Sequence, residues 1–264
     1  MNVLSAKIAL RDRSLLDVLD LSVRFVVAHA RAYFLMSAVV SVPGFLVSWL
    51  CAVKLGWLAG WAAAFALVSF AEAPYVVLAS RLVFEEDVPT GAALGVALRA
   101  LPRLIGFRLL QIASIASGAI FFLVPGVWVA SLFLFGTEVI VLEQARVGAS
   151  VGRMQRLGTG FFGDVLMAML ALWALYAVAI VLGDATGHAI LEELLQIKVR
   201  PSEDEIGGPI ALFALWMAVP TLTTARLLVY LNLRTRREGW DIQTRFAALA
   251  ARARAETEDA TVHA

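Results

Sequence analysis

Apolar residues in this chain run in long, nearly unbroken blocks, with polar residues gathered in short stretches between them. A helix needs roughly 20 apolar residues to cross the hydrocarbon core of a bilayer, which is about 30 Å thick. Blocks of that kind lie at 33–53, 57–80, 165–183 and 208–231, and a longer one covers 104–142. As a single helix the long block would measure about 58 Å at about 1.5 Å per residue, near twice the bilayer. Its middle reads Leu123-Val124-Pro125-Gly126-Val127-Trp128. Proline removes a backbone donor and glycine permits a reversal, so Pro125 and Gly126 predict the turn of a helical hairpin. The pattern therefore predicts an all-α polytopic transmembrane bundle of six spans, at 33–53, 57–80, 104–124, 126–142, 165–183 and 208–231.

The basic residues test that count independently, because cytoplasmic loops collect Lys and Arg. With six spans and the N-terminus inside, only Lys54, Lys198 and Arg200 of the 22 basic residues fall outside. Merging the hairpin into one span would spread the basic residues evenly over both sides, which disfavours it. Both ends are thus expected in the cytoplasm. Residues 1–254 read as one membrane domain and 255–264 as a disordered cytoplasmic tail. Residues 1–31 carry charges throughout and do not have the form of a signal peptide.

Amphipathic stretches precede each pair of spans. The first is 14–30, where Ser14 is a candidate N-cap with Asp17 in the capping-box position. The second is 90–103, opened by Thr90, and the third is 147–160. Each predicts a helix lying on the inner membrane surface, so the chain reads as three repeats of interfacial helix plus transmembrane hairpin. The alternative is that any positively charged segment ahead of a span has this look. The outer loop 184–207 is acidic, and its residues 188–199 predict a short amphipathic helix on the outer surface.

Composition narrows the class. The chain is 61% apolar and 16% charged, against roughly 45–50% and about 25% for soluble domains. Lipid is the solvent that fits, and the bilayer is the first expected partner. Other membrane or cytoplasmic proteins are further candidates, and no nucleic acid is expected. Cys51 is the single cysteine, so there is no disulfide framework and no cysteine metal site.

Catalytic signals are not found. The three histidines, His29, His188 and His263, belong to no metalloprotease motif, and no nucleophile elbow, Walker A loop or dinucleotide fingerprint occurs. No catalytic residue, cofactor or metal is expected. His188 and Glu192 share a helical spacing, but two ligands without a third read better as a solvated face. Ionisable residues inside spans are stronger leads, because charge in hydrocarbon is costly and often functional. Glu72 and Glu138 lie in the inner halves of two returning spans, with Thr224 and Arg226 at a related place in a third. The functional reading is a polar pocket opening toward the cytoplasm; the plainer one is an arginine neutralising a glutamate for packing. By depth, Glu138 is the expected first partner of Arg226.

The C-terminal stretch Leu228-Val229-Tyr230-Leu231-Asn232-Leu233-Arg234-Thr235-Arg236-Arg237-Glu238-Gly239-Trp240-Asp241 resembles an ending, L-x-Y-x-D-L-R-x-R-x-E-G-x-D, of a group of bacterial integral membrane proteins. These are labelled as similar to the membrane domain of glycerophosphoryl diester phosphodiesterases. The opening residues 14–20 and the central Val124-Pro125-Gly126-Val127-Trp128 look like the same group. Asn232 stands where that group has aspartate, and no catalytic barrel is present. The resemblance implies a bacterial inner-membrane protein of unestablished activity. On their own residues, Arg234, Arg236 and Arg237 suit an anchor at anionic headgroups, with Trp240 in the interface. Glu238 and Gly239 leave docking of a cytoplasmic partner open. The expected function is a non-enzymatic membrane scaffold or assembly component, and the alternative is a small transporter or lipid-handling protein. A scaffold should keep a dry, closed core, and a transporter a cavity that reaches the carboxylates.

Overall fold

The computed structural model describes residues 14–121, 123–144, 147–196 and 207–238. Among them all regular structure is helical, in the order α1 (Leu15–Ala28), α2 (Ala30–Val39), α3 (Ser41–Leu55), α4 (Trp57–Leu82), α5 (Thr90–Phe121), α6 (Leu123–Leu132), α7 (Gly136–Leu142), α8 (Val147–Gly160), α9 (Phe162–Ala189) and α10 (Pro209–Glu238). Five segments are helical, long and apolar enough to cross a membrane: Ala30–Leu55, Trp57–Leu82, Val124–Leu142, Phe162–Leu194 and Pro209–Arg236. The remaining expected stretch, 104–124, forms most of the second half of α5.

Helices α4 and α10 pack against each other at the centre, with α3, α5, α7 and α9 around them. Tyr75, Leu78, Leu212, Leu215, Trp216 and Tyr230 on these two helices are fully buried. The outward faces of the helices are apolar instead: Leu58, Leu109, Ile120, Trp128 and Val181 are all exposed. A protein in water rarely leaves so continuous an apolar exterior. Such an exterior is consistent with a membrane location, and polar side chains turn inward. The Tyr75 hydroxyl bonds Ser41 at 2.7 Å and Ser37 at 3.0 Å, and the Tyr33 hydroxyl bonds Thr224 at 2.7 Å.

Local chemistry explains the breaks. Ser14 caps α1 by accepting from the Asp17 amide at 3.2 Å. The expected span 33–53 is divided at Val40, because Pro43 in the first turn of α3 cannot donate to a preceding carbonyl. Gly56, with φ of 95°, turns the chain from α3 into α4, in a region closed to most other residues.

Three expectations need correction. The α5–α6 reversal comes before Pro125 and Gly126, which sit in the first turn of α6. Gly126 instead allows close approach, since a Cβ there would lie 3.2 Å from the Cα of Ala119. The expected helix 126–142 is interrupted at 133–135, where Phe107 occupies the space beside Gly136. The surface helix expected at 188–199 is not separate: α9 runs to Ala189 and continues as a wider turn, Ile190–Leu194. Residues 197–206, 239–241 and 255–264 of the sequence reading lie outside the described residues.

The three amphipathic stretches are helical but unlike one another. α1 and α8 are separate helices, whereas 90–103 runs without interruption into the rest of α5. α1 follows α10 lengthwise. Leu15 and Val18 adjoin Val229, Leu233 and Arg236, and Ser22 and Val23 adjoin Ala218, Thr221 and Ala225.

Candidate functional site

Four charged side chains from four helices meet inside the bundle. Arg226 of α10 donates from Nε to Glu138 Oε1 of α7 at 2.7 Å, and from Nη1 to Glu72 Oε2 of α4 at 2.8 Å. Arg108 of α5 donates from Nη2 to the same Glu72 oxygen at 3.0 Å. The result is an alternating chain, Arg108–Glu72–Arg226–Glu138, with no net charge. Glu138 has no exposure at all, and Glu72 and Arg226 are each 8% exposed. Charges buried this deeply persist only when paired and hydrogen-bonded.

Each helix places its residue for a readable reason. The break before α7 sets Glu138 in that helix's first turn, where the helix dipole favours an acid. Arg108 follows Phe107, whose ring packs on Phe133 at 5.7 Å and under Gly136, fixing α5 against α6 and α7. The Arg108 guanidinium also donates to the Ser69 carbonyl at 2.7 Å, the Thr137 hydroxyl at 2.9 Å and Gln111 Oε1 at 2.6 Å.

Above this cluster lies a cavity of about 480 Å³. Its floor is Glu72, Arg108 and Arg226, and its walls are Phe65, Ile115, Trp173, Ile180 and Leu215. Phe65 on α4 and Trp173 on α9 both line it and are 57% and 52% exposed, so the cavity is open at the apolar outer surface of the bundle. Toward the end of the bundle that holds Leu82, Thr90 and Leu142, the floor is sealed by buried Tyr75, Val76, Val139, Ile140 and Tyr230. The pocket therefore faces away from the end toward which it was expected to open. The size suits a small ligand, for which cavities run roughly 300–1,000 Å³.

No family model, curated protein or solved structure matches the chain. The site is accordingly read from its own geometry.

Glu72, Glu138 and Arg226 come together, with Arg226 pairing with both carboxylates at nearly equal distances. Thr224 does not join them. Its hydroxyl bonds Tyr33 and the Pro220 carbonyl, on the α2 side of α10. Arg108, Thr137, Gln111 and Trp173 belong to the site and were not singled out from the sequence. Arg108 did carry a signal, standing five residues into the expected span 104–124, where an arginine is costly.

The described part of the C-terminal motif makes ion pairs with neighbouring helices. Arg234 pairs with Glu143 at 3.3 Å, and Glu143 also takes Arg153 and the Tyr230 hydroxyl, the latter at 2.6 Å. Arg236 pairs with Asp164 at 3.0 Å. These contacts link α10 to α7, α8 and α9, and the Arg236–Asp164 pair lies at an exposed position. The side chains of Arg237 and Glu238, with Gly239 and Trp240, lie outside the described residues. His188 turns to Asp184 at 3.4 Å, not to Glu192, and among the described residues no group of three metal ligands occurs.

Proposed function

We propose that this chain is a multi-pass protein of the bacterial inner membrane that takes an amphiphile from the bilayer into the cavity above Arg108, Glu72 and Arg226. The observation that carries this reading is the cavity itself, with apolar walls, a charged floor and a mouth on the lipid-facing side. A cavity that reaches the carboxylates favours this reading over a scaffold with a dry, closed core. The six-span topology, with both ends cytoplasmic, belongs to the same proposal and is supported by the one-sided distribution of basic residues. So do the threefold repeat and the resemblance of residues 228–241 to bacterial integral membrane proteins.

The test is labelling with a photoactivatable fatty-acyl probe in native membranes. Crosslinks are expected to concentrate on Phe65, Ile115 and Trp173. Ala177→Trp, which fills the α9 wall of the cavity, is expected to abolish them while the protein remains folded. Crosslinks spread evenly around the bundle and indifferent to Ala177→Trp would overturn the proposal.

A further inference from the structure

The two arginines on the cavity floor are not fully used by the protein. Nε of Arg108 and Nη2 of Arg226 are buried and have no hydrogen-bond partner among the described residues. Leaving a buried donor unpaired is costly, and more so for a charged group, so both guanidiniums keep unmet hydrogen-bonding capacity beneath the cavity floor. The lining carries an asymmetry in the same direction. Arg108, Arg226 and Glu72 line the cavity, whereas Glu138 lies behind them and does not. A ligand thus meets two guanidiniums and one carboxylate, although the whole cluster is neutral. Gln111 adds a side-chain amide whose oxygen is held by Arg108, leaving its NH₂ group as a further donor on the wall.

We infer that the ligand is an anionic amphiphile, with a phosphate or carboxylate head set on Arg108 and Arg226 and its apolar part along Phe65, Ile115 and Trp173. This rests on the lipid-handling reading and narrows it. Guanidinium forks suit both oxyanions through paired N–H donors. A cationic head would meet two like charges, and a neutral head would leave the charge asymmetry unanswered.

Native mass spectrometry of the full chain, released from neutral maltoside micelles, tests this. Dioleoyl phosphatidic acid is the anionic probe, dioleoylglycerol its neutral match, and inorganic phosphate the free-anion arm. Phosphatidic acid is expected to bind at least about tenfold more tightly than dioleoylglycerol, a difference of about 1.4 kcal/mol. Arg108→Gln should remove that preference. So should Arg108→Gln with Glu72→Gln, which keeps the buried cluster neutral and guards against misfolding of the single variant. Arg108→Lys, retaining the charge, should keep part of it. Equal binding of the two lipids, unchanged by the folded double variant, overturns the anionic head while leaving lipid binding intact. Binding of both lipids that ignores Ala177→Trp overturns the cavity as the site, and the proposed function with it. Inorganic phosphate competing on equal terms with phosphatidic acid overturns the amphiphile and leaves a free-anion site.

Discussion

Arg226→Leu isolates the energetics of the charge cluster. Among the described residues, Glu138 takes its only side-chain hydrogen bond from Arg226 Nε and its second oxygen has no partner, and it has no exposure. Glu72 keeps Arg108 when Arg226 is gone. The loss therefore falls on Glu138, stranding a carboxylate in the core of the bundle. Breaking a buried ion pair from one side costs about 3–5 kcal/mol. At about 2–4 °C per kcal/mol for a chain of this size, melting in detergent should fall by roughly 6–20 °C. Glu138→Gln in the Arg226→Leu background removes the stranded charge and should recover much of that loss. Glu72→Gln in the same background should recover little, because Glu72 already has a cation. Fluorescence-detected thermal unfolding of purified protein measures all four forms side by side. A fall of less than about 2 °C for Arg226→Leu, or equal rescue by the two glutamine substitutions, would refute the pairing order drawn from the distances.

Three further outcomes are expected. Gly44→Ala should cost about 1–3 kcal/mol in thermal unfolding, because its methyl would overlap the buried Trp216 ring, whereas Gly95→Ala faces open space and should stabilise α5 by up to about 1 kcal/mol. Glu143→Gln should loosen the Arg153, Arg234 and Tyr230 contacts by about 1 kcal/mol, more at low salt than at high, and a loss independent of salt would count against an electrostatic role. In a Cys51→Ser background, a membrane-impermeant maleimide should label Lys54→Cys in intact cells and Glu85→Cys or Gly148→Cys only after permeabilisation; the reverse pattern would invert the proposed topology.

Much of the architecture is legible in the sequence because the bilayer imposes one demand on every segment. Backbone groups in lipid have to bond internally, so an apolar run of sufficient length becomes a helix whatever its neighbours do. The blocks at 57–80 and 208–231 accordingly reappear as α4 and α10, each continuing beyond the C-terminal end of its block, as far as Leu82 and Glu238. Pro43 and the stretch before Gly136 acted more locally than that demand, dividing spans that the apolar pattern drew as continuous. Pro125 carried a breaking signal that the structure uses elsewhere. In the first turn of a helix its missing N–H has no bond to lose, so it opens α6 instead of forming the reversal.

The candidate site divides along the same line. That Glu72, Glu138 and Arg226 would need partners followed from sequence alone, since each lies in an apolar run where an unpaired charge is not tolerated. Depth counted along the helices was enough to bring Arg226 to the level of both carboxylates, because a helix rises by a constant step. Which way each helix faces was not contained in that step. Rotation about the helix axis is set by packing, by Phe107 against Gly136 and Trp216 beside Gly44. That rotation brought Arg108 into the cluster, turned Thr224 toward Tyr33, and took Arg234 and Arg236 into ion pairs with Glu143 and Asp164. The cavity is likewise a property of the assembled helices. It exists because α9 packs on α10 and α6 while standing off from α4 and α5, and apolar runs, which fix the length of a helix, place no constraint on the gaps between helices.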